Sequence, residues 1–132
     1  MIERIGHAGL VVSDLERSIA FYTGVLGLEV SRRLEFPGRK LVILSLGDKR
    51  AAKLELLTYV DTDLSIGVPA DRTLLGLRHL AFRVPDVSAV YEHLMQEGVQ
   101  MIENPPFQRV DGPRIAFGLD PDGVLLEFTE ID

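Results

Sequence analysis

Laid on itself 72 residues along, the chain repeats: His7 falls on His79, Val12 on Val84, Asp14 on Asp86, Asp48 on Asp120, Leu54 on Leu126 and Glu55 on Glu127. Self-similarity at one offset restricts a chain to architectures that use a single supersecondary unit more than once. The order of local signals repeats as well. Each half opens on a short apolar segment, residues 5–12 and 77–84, that reads as a strand. A helix follows in each. In the first half Ser13 and Glu16 form an S-x-x-E capping box, and Leu15, Ile19, Tyr22 and Leu26 supply an apolar face. In the second half Pro85-Asp86 opens a helix carrying Val87, Val90, Tyr91 and Leu94, with Gly98 as its stop.

Three further strands are predicted after each helix, at about 28–35, 40–47 and 52–60, then at about 99–103, 113–119 and 124–130. The turn before the last is Asp120-Pro121-Asp122-Gly123. The unit is βαβββ, used twice, which makes the fold α+β. A half of about 65 residues is marginal alone. The 132 residues are therefore expected to form one domain, with module one at about 1–60, a linker at 61–76 and module two at 77–132. Asn104-Pro105-Pro106 and Val110-Asp111-Gly112-Pro113 are expected to mark a second mobile region.

Composition removes several functions. The chain has no cysteine, which excludes disulfides, thiolate zinc sites, iron–sulfur clusters and a cysteine nucleophile. A net charge of −6 repels phosphate backbones, so no nucleic-acid partner is expected. The opening MIERIGHAGL lacks the pattern of a secretory signal, and no apolar run has the length of a membrane span. The expectation is a cytoplasmic protein without a membrane partner. No GxGxxG, P-loop, HExxH or GxSxG motif is present, which leaves dinucleotide, nucleotide, zincin and hydrolase chemistry without support.

Alternate residues of a strand face opposite sides. Leu10 and Val12, Leu54 and Leu56, Leu80, Phe82 and Val84, and Val124, Leu126 and Phe128 form apolar sets that are expected to pack under the helices. His7, Glu55, His79 and Glu127 all take the opposite parity. Gly9 and Ala81, two positions past each histidine, leave room on that face. A single strand histidine or glutamate is ordinarily a solvated polar residue. Four metal-competent side chains of one parity at one offset read instead as a site in which each half donates an imidazole and a carboxylate. Such a set suits a divalent first-row ion that keeps a position open for substrate.

The segments that carry these residues are HAGLVVSDLERSIAFY from His7 with GVLGL after it, LELL from Leu54, HLAFRVPDV from His79 and DPDGVLLEF from Asp120. Together they resemble the vicinal oxygen chelate superfamily over essentially the whole chain. That superfamily includes glyoxalase I, methylmalonyl-CoA epimerase, extradiol dioxygenases and fosfomycin and bleomycin resistance proteins. The resemblance implies cupped sheets around one divalent ion (nickel, cobalt, zinc, manganese or iron) and association as a homodimer. Short bacterial glyoxalase I, or lactoylglutathione lyase, uses His, Glu, His and Glu as ligands, which His7, Glu55, His79 and Glu127 match one for one. The epimerase carries glutamine at the position of Glu55.

The resemblance thus implies a metal-dependent lyase or isomerase. It would act on a small hemithioacetal or α-hydroxycarbonyl compound through a metal-bound enediolate, with Glu127 as the mobile base and Glu55 its counterpart. An epimerase, a ring-cleaving dioxygenase and a metal-free drug-binding protein are the alternatives. Short glyoxalases also place an arginine four residues after the first ligand and an asparagine four or five after the second. This chain has Val11 and Tyr59-Val60 there. Arg32, Arg33, Arg39 and Lys40 gather around a predicted hairpin and read as a solvated edge rather than a receptor for an anionic tail. His93, the repeat mate of Phe21, has no ligand partner at metal spacing and is expected at or near the surface.

Overall fold

The computed structural model describes residues 1–108 and 112–130. The chain divides into two compact units, Met1–Ile66 and Gly67–Asp132. The first holds β1 (His7–Val11), α1 (Leu15–Ala20), a π-helical turn (Phe21–Val25), β2 (Glu29–Phe36), β3 (Arg39–Ser45) and β4 (Lys53–Tyr59). The second holds β5 (His79–Arg83), α2 (Val87–Gln96), β6 (Met101–Gln108), β7 (Arg114–Leu119) and β8 (Leu125–Thr129). Each unit is one four-stranded mixed sheet, ordered β1-β4-β3-β2 and β5-β8-β7-β6. β1 runs parallel to β4 and β5 to β8, and the remaining pairs are antiparallel. The predicted βαβββ repeat is therefore borne out element by element.

Parity decides what is buried. In the first unit Val42, Leu44, Leu54 and Leu56 share the helix-facing side and are almost wholly buried, as are Val12 and Tyr22. In the second, Leu126 and Phe128 on β8 pack with Val87 and Leu94 of α2 as the core. The Phe82 and Phe128 rings stack with centroids 5.9 Å apart.

Helix ends differ from expectation in one detail. The cap of α1 is Asp14, whose carboxylate accepts from the Arg17 amide at 3.0 Å. Ser13 instead accepts from the Arg17 guanidinium at 2.8 Å, and Glu16 pairs with Arg33 of β2 at 2.9 Å. A carboxylate is the stronger acceptor for helix-end amides and suits the positive end of the helix dipole, so the capping box does not form. Asp86, the repeat mate of Asp14, caps α2 in the same way through the Ser88 and Ala89 amides.

α1 is also shorter than its apolar spacing predicts. The Thr23 hydroxyl donates to the Ile19 carbonyl at 2.7 Å, and the Leu26 amide reaches back five residues to Phe21. A side chain competing for an i−4 carbonyl loosens the helix into a π turn there. Gly98, at φ 76°, ends α2 as expected. β6 runs on through Asn104-Pro105-Pro106, with its register interrupted between Ile102 and Phe107. The break expected at Val110-Asp111-Gly112-Pro113 lies largely outside the described residues.

Candidate functional site

Register places each histidine one row from its glutamate. β1 sets Gly9 beside Glu55 of β4, and His7 precedes Gly9 on the same face. β5 sets Ala81 beside Glu127 of β8, and His79 precedes Ala81. The small residue at that row is what leaves the carboxylate uncovered: a Cβ on Gly9 would stand 4.0 Å from Glu55 Oε2. His7 Nε2 lies 3.5 Å from Glu55 Oε2, and His79 Nε2 lies 3.4 Å from Glu127 Oε2. The carboxylates are the more sheltered partners, with side chains 22% and 17% exposed against 59% and 46% for the histidines. All four residues thus sit on the side away from the helices, as parity predicts.

Two donors each about 2.0–2.2 Å from a shared ion, at octahedral or tetrahedral angles, stand roughly 2.8–3.6 Å apart. The two imidazole–carboxylate separations fall at the upper end of that span, so each pair has the chemistry and spacing to offer two ligands to one cation. The structure brings the four residues together as two pairs. Among the described residues no group of three or more such side chains gathers. His93 is exposed on α2, on neither pair's strand.

Around the pairs the same face is mainly apolar. In the first unit it carries Val11, Leu57, Tyr59, Leu41, Ile43 and Leu34, row by row across the sheet. In the second, Phe117 of β7 stands beside Glu127 and Ile102 beside Phe117. Sequence reasoning missed what covers Phe117. The Arg72 guanidinium lies 4.9 Å above that ring and 2.7 Å from the Glu103 carboxylate, and Glu103 itself adopts a left-handed backbone at φ 59°. No local signal ties residue 72 to residue 117, because the contact depends on where the segment before β5 folds back.

The basic cluster near the β2–β3 hairpin is divided by the sheet. Arg33 and Lys40 take the helix-facing side and pair with Glu16 and Glu35. Arg32 and Arg39 take the face of the His7–Glu55 pair, and Arg39 stacks 4.6 Å over the Phe36 ring.

A twice-used βαβββ unit with a histidine–glutamate pair on the open face of each sheet defines a class of protein. Residues 4–128 match the family model of the Glyoxalase/Bleomycin resistance protein/Dioxygenase superfamily, and the chain belongs to that family. A lactoylglutathione lyase of Haemophilus influenzae is 35% identical over 130 residues, covering 96% of this chain and 92% of that protein. The lactoylglutathione lyase GLX1 of Arabidopsis thaliana is 31% identical over 129 residues. This chain spans 44% of that protein's length. A glyoxalase family protein from Enterococcus faecalis superposes with a TM-score of 0.80 at 30% identity, covering 97% of this chain and 98% of that one. Among the described residues no helix is long and apolar enough to cross a membrane.

Proposed function

We propose that this chain is a metal-dependent lyase of the glyoxalase I type, converting a small hemithioacetal into the thioester of a 2-hydroxy acid. The observation that carries the reading is the repetition of one geometry: a histidine and a half-buried glutamate, 3.5 and 3.4 Å apart, on matching strands of the two units. The lactoylglutathione lyases among its relatives supply the activity class. His7, Glu55, His79 and Glu127 would hold one divalent ion, with residues 1–132 working as a single domain and the chain as a homodimer. When bound, the ion acidifies the carbon-bound proton and stabilises negative charge on the substrate oxygens.

The rest falls to the chain's own residues. The Glu127 carboxylate accepts the proton from the hydroxyl-bearing carbon and returns it to the neighbouring carbon, a one-base relay suited to a carboxylate at the edge of an apolar face. Glu55 supplies the second negative charge opposite it. Phe117 beside Glu127, and the Val11–Leu57–Leu41–Leu34 row next to Glu55, would limit water at the carboxylates while the proton is held.

The test is a screen of protein reconstituted with nickel, cobalt, zinc, manganese or iron against methylglyoxal hemithioacetals of several thiols, with methylmalonyl-CoA alongside. Turnover of a hemithioacetal is the expected result. Epimerisation of methylmalonyl-CoA without hemithioacetal turnover would move the assignment to the epimerase. Stoichiometric drug binding by protein that takes up no metal would move it to a sequestering protein.

A further inference from the structure

β2 does not alternate regularly. Val30 pairs with Leu44, but Arg32, not Ser31, pairs with Ile43, so one extra residue sits between them. An extra residue on one strand of an antiparallel pair re-aims the side chains that follow it, and such bulges favour the neighbourhood of active sites. Here the slip reverses the face of Arg32. In unbroken register Arg32 would stand opposite Val42, on the helix-facing side and in the position that Arg33 takes. With the slip it stands opposite Ile43, in the row Gly9–Glu55–Ile43–Arg32 that crosses the sheet on the face of the His7–Glu55 pair. Two strand spacings separate Arg32 from Glu55, about 9–10 Å between Cα atoms. The long arginine side chain crosses much of that gap over Ile43.

The neighbouring basic groups are occupied. Arg33 and Lys40 are ion-paired on the other side, Arg39 stacks on Phe36, and Arg72 of the second unit is held by Glu103. Arg32 is exposed and, among the described residues, makes no ion pair, although Glu29 stands one row away on its own strand. Lys53 shares the face but lies on β4 in the row of His7, one row from Glu55 and two strands from β2.

We propose that Arg32 is a specificity-determining residue that holds a carboxylate on the part of the substrate remote from the reacting carbon. A guanidinium presents two parallel N–H groups that match a carboxylate, which Lys53 cannot do. The separation from Glu55 suits a compound whose hydroxycarbonyl end faces the His7–Glu55 pair while a carboxylate a few bonds away reaches Arg32. This rests on the reading of that face as the substrate side.

The experiment compares two probes by calorimetry on nickel-reconstituted protein: lactate, an α-hydroxy acid, and malate, the same acid with a second carboxylate. Wild type is expected to favour malate. Arg32→Ala should lower the malate-to-lactate affinity ratio about tenfold or more and leave lactate binding and thermal stability unchanged. Arg32→Lys should recover part of the ratio, and Lys53→Ala should weaken both acids alike. A ratio that is unchanged in Arg32→Ala overturns the proposal, as does a wild type indifferent to the second carboxylate or an equal fall in ratio with Lys53→Ala. Any of these leaves the lyase reading standing. That reading fails separately, through absent hemithioacetal turnover, whatever the malate ratio shows.

Discussion

At the residue scale the two glutamates are chemically alike but have different expected consequences. Glu127→Gln keeps the shape and a carbonyl oxygen but removes the group that accepts a proton. Turnover should fall roughly 100-fold or more while metal content falls far less, read by steady-state kinetics and elemental analysis on one preparation. Glu55→Gln is the sharper variant, because it recreates the ligand set of the epimerase. It should also lose most hemithioacetal turnover while holding metal through its amide oxygen. Full turnover at full occupancy would show that Glu55 is dispensable to the chemistry, which is the behaviour of a dioxygenase or thiol transferase. These variants are informative because, among the described residues, neither carboxylate pairs with a lysine or arginine that the change would orphan.

The element scale concerns how strands and helices are held so that each histidine shares a sheet face with its glutamate. α1 follows directly on β1, and its start is set by Asp14 rather than Ser13. Asp14→Ala should cost about 1 kcal/mol in denaturant unfolding and Ser13→Ala clearly less. A result in the opposite order would restore the capping box. In the segment joining β4 to β5, two turns are built alike. The Ser65 hydroxyl and amide donate to the Asp63 carboxylate, and those of Thr73 to Asp71. These bonds, the hydroxyl contact first, hold both carboxyls below their ordinary value of 3.8. A depressed folded-state value stabilises the turn fully above the ordinary carboxylate range, and that effect is lost as pH falls from there through the lowered folded-state value. NMR titration should therefore find both midpoints below 3.8. Ser65→Ala should return Asp63 to the ordinary range and leave Asp71 where it was.

For the whole molecule the open question is assembly. β1 and β2 bound the first sheet and β5 and β6 the second, and an outer strand presents unpaired backbone groups that proteins cover by pairing or association. Val11 on β1 and Phe36 and Val30 on β2 are exposed apolar residues on such strands. Sedimentation or light scattering at micromolar concentration is expected to find a homodimer. A monomer under those conditions would leave the outer strands to be covered within one chain and would remove dimerisation from the proposed function.

The repeat, the alternation and the turn residues are local properties, and they were legible without coordinates. Two-residue periodicity alone assigns His7 and Glu55, and likewise His79 and Glu127, to the face of their own sheet away from its helix, because burying the leucine set forces the other set outward. Asp86 as a cap, Gly98 as a stop and the Asp120 turn follow from backbone donors that only certain side chains can satisfy near them. The tertiary structure decided the rest. A choice between Asp14 and Ser13 depends on what else competes for each, and Glu16 was drawn off by Arg33 from a strand seventeen residues away. The basic cluster read from sequence as one solvated edge was split by strand alternation, and the slip at Ser31 decided that Arg32 rather than Arg33 took the face of the His7–Glu55 pair. A one-residue bulge leaves no mark in composition or periodicity that a regular strand lacks, yet it reverses every side chain beyond it. That is why the histidine–glutamate pairs could be placed from the sequence, whereas the face that Arg32 occupies could be known only from the register of β2 on β3.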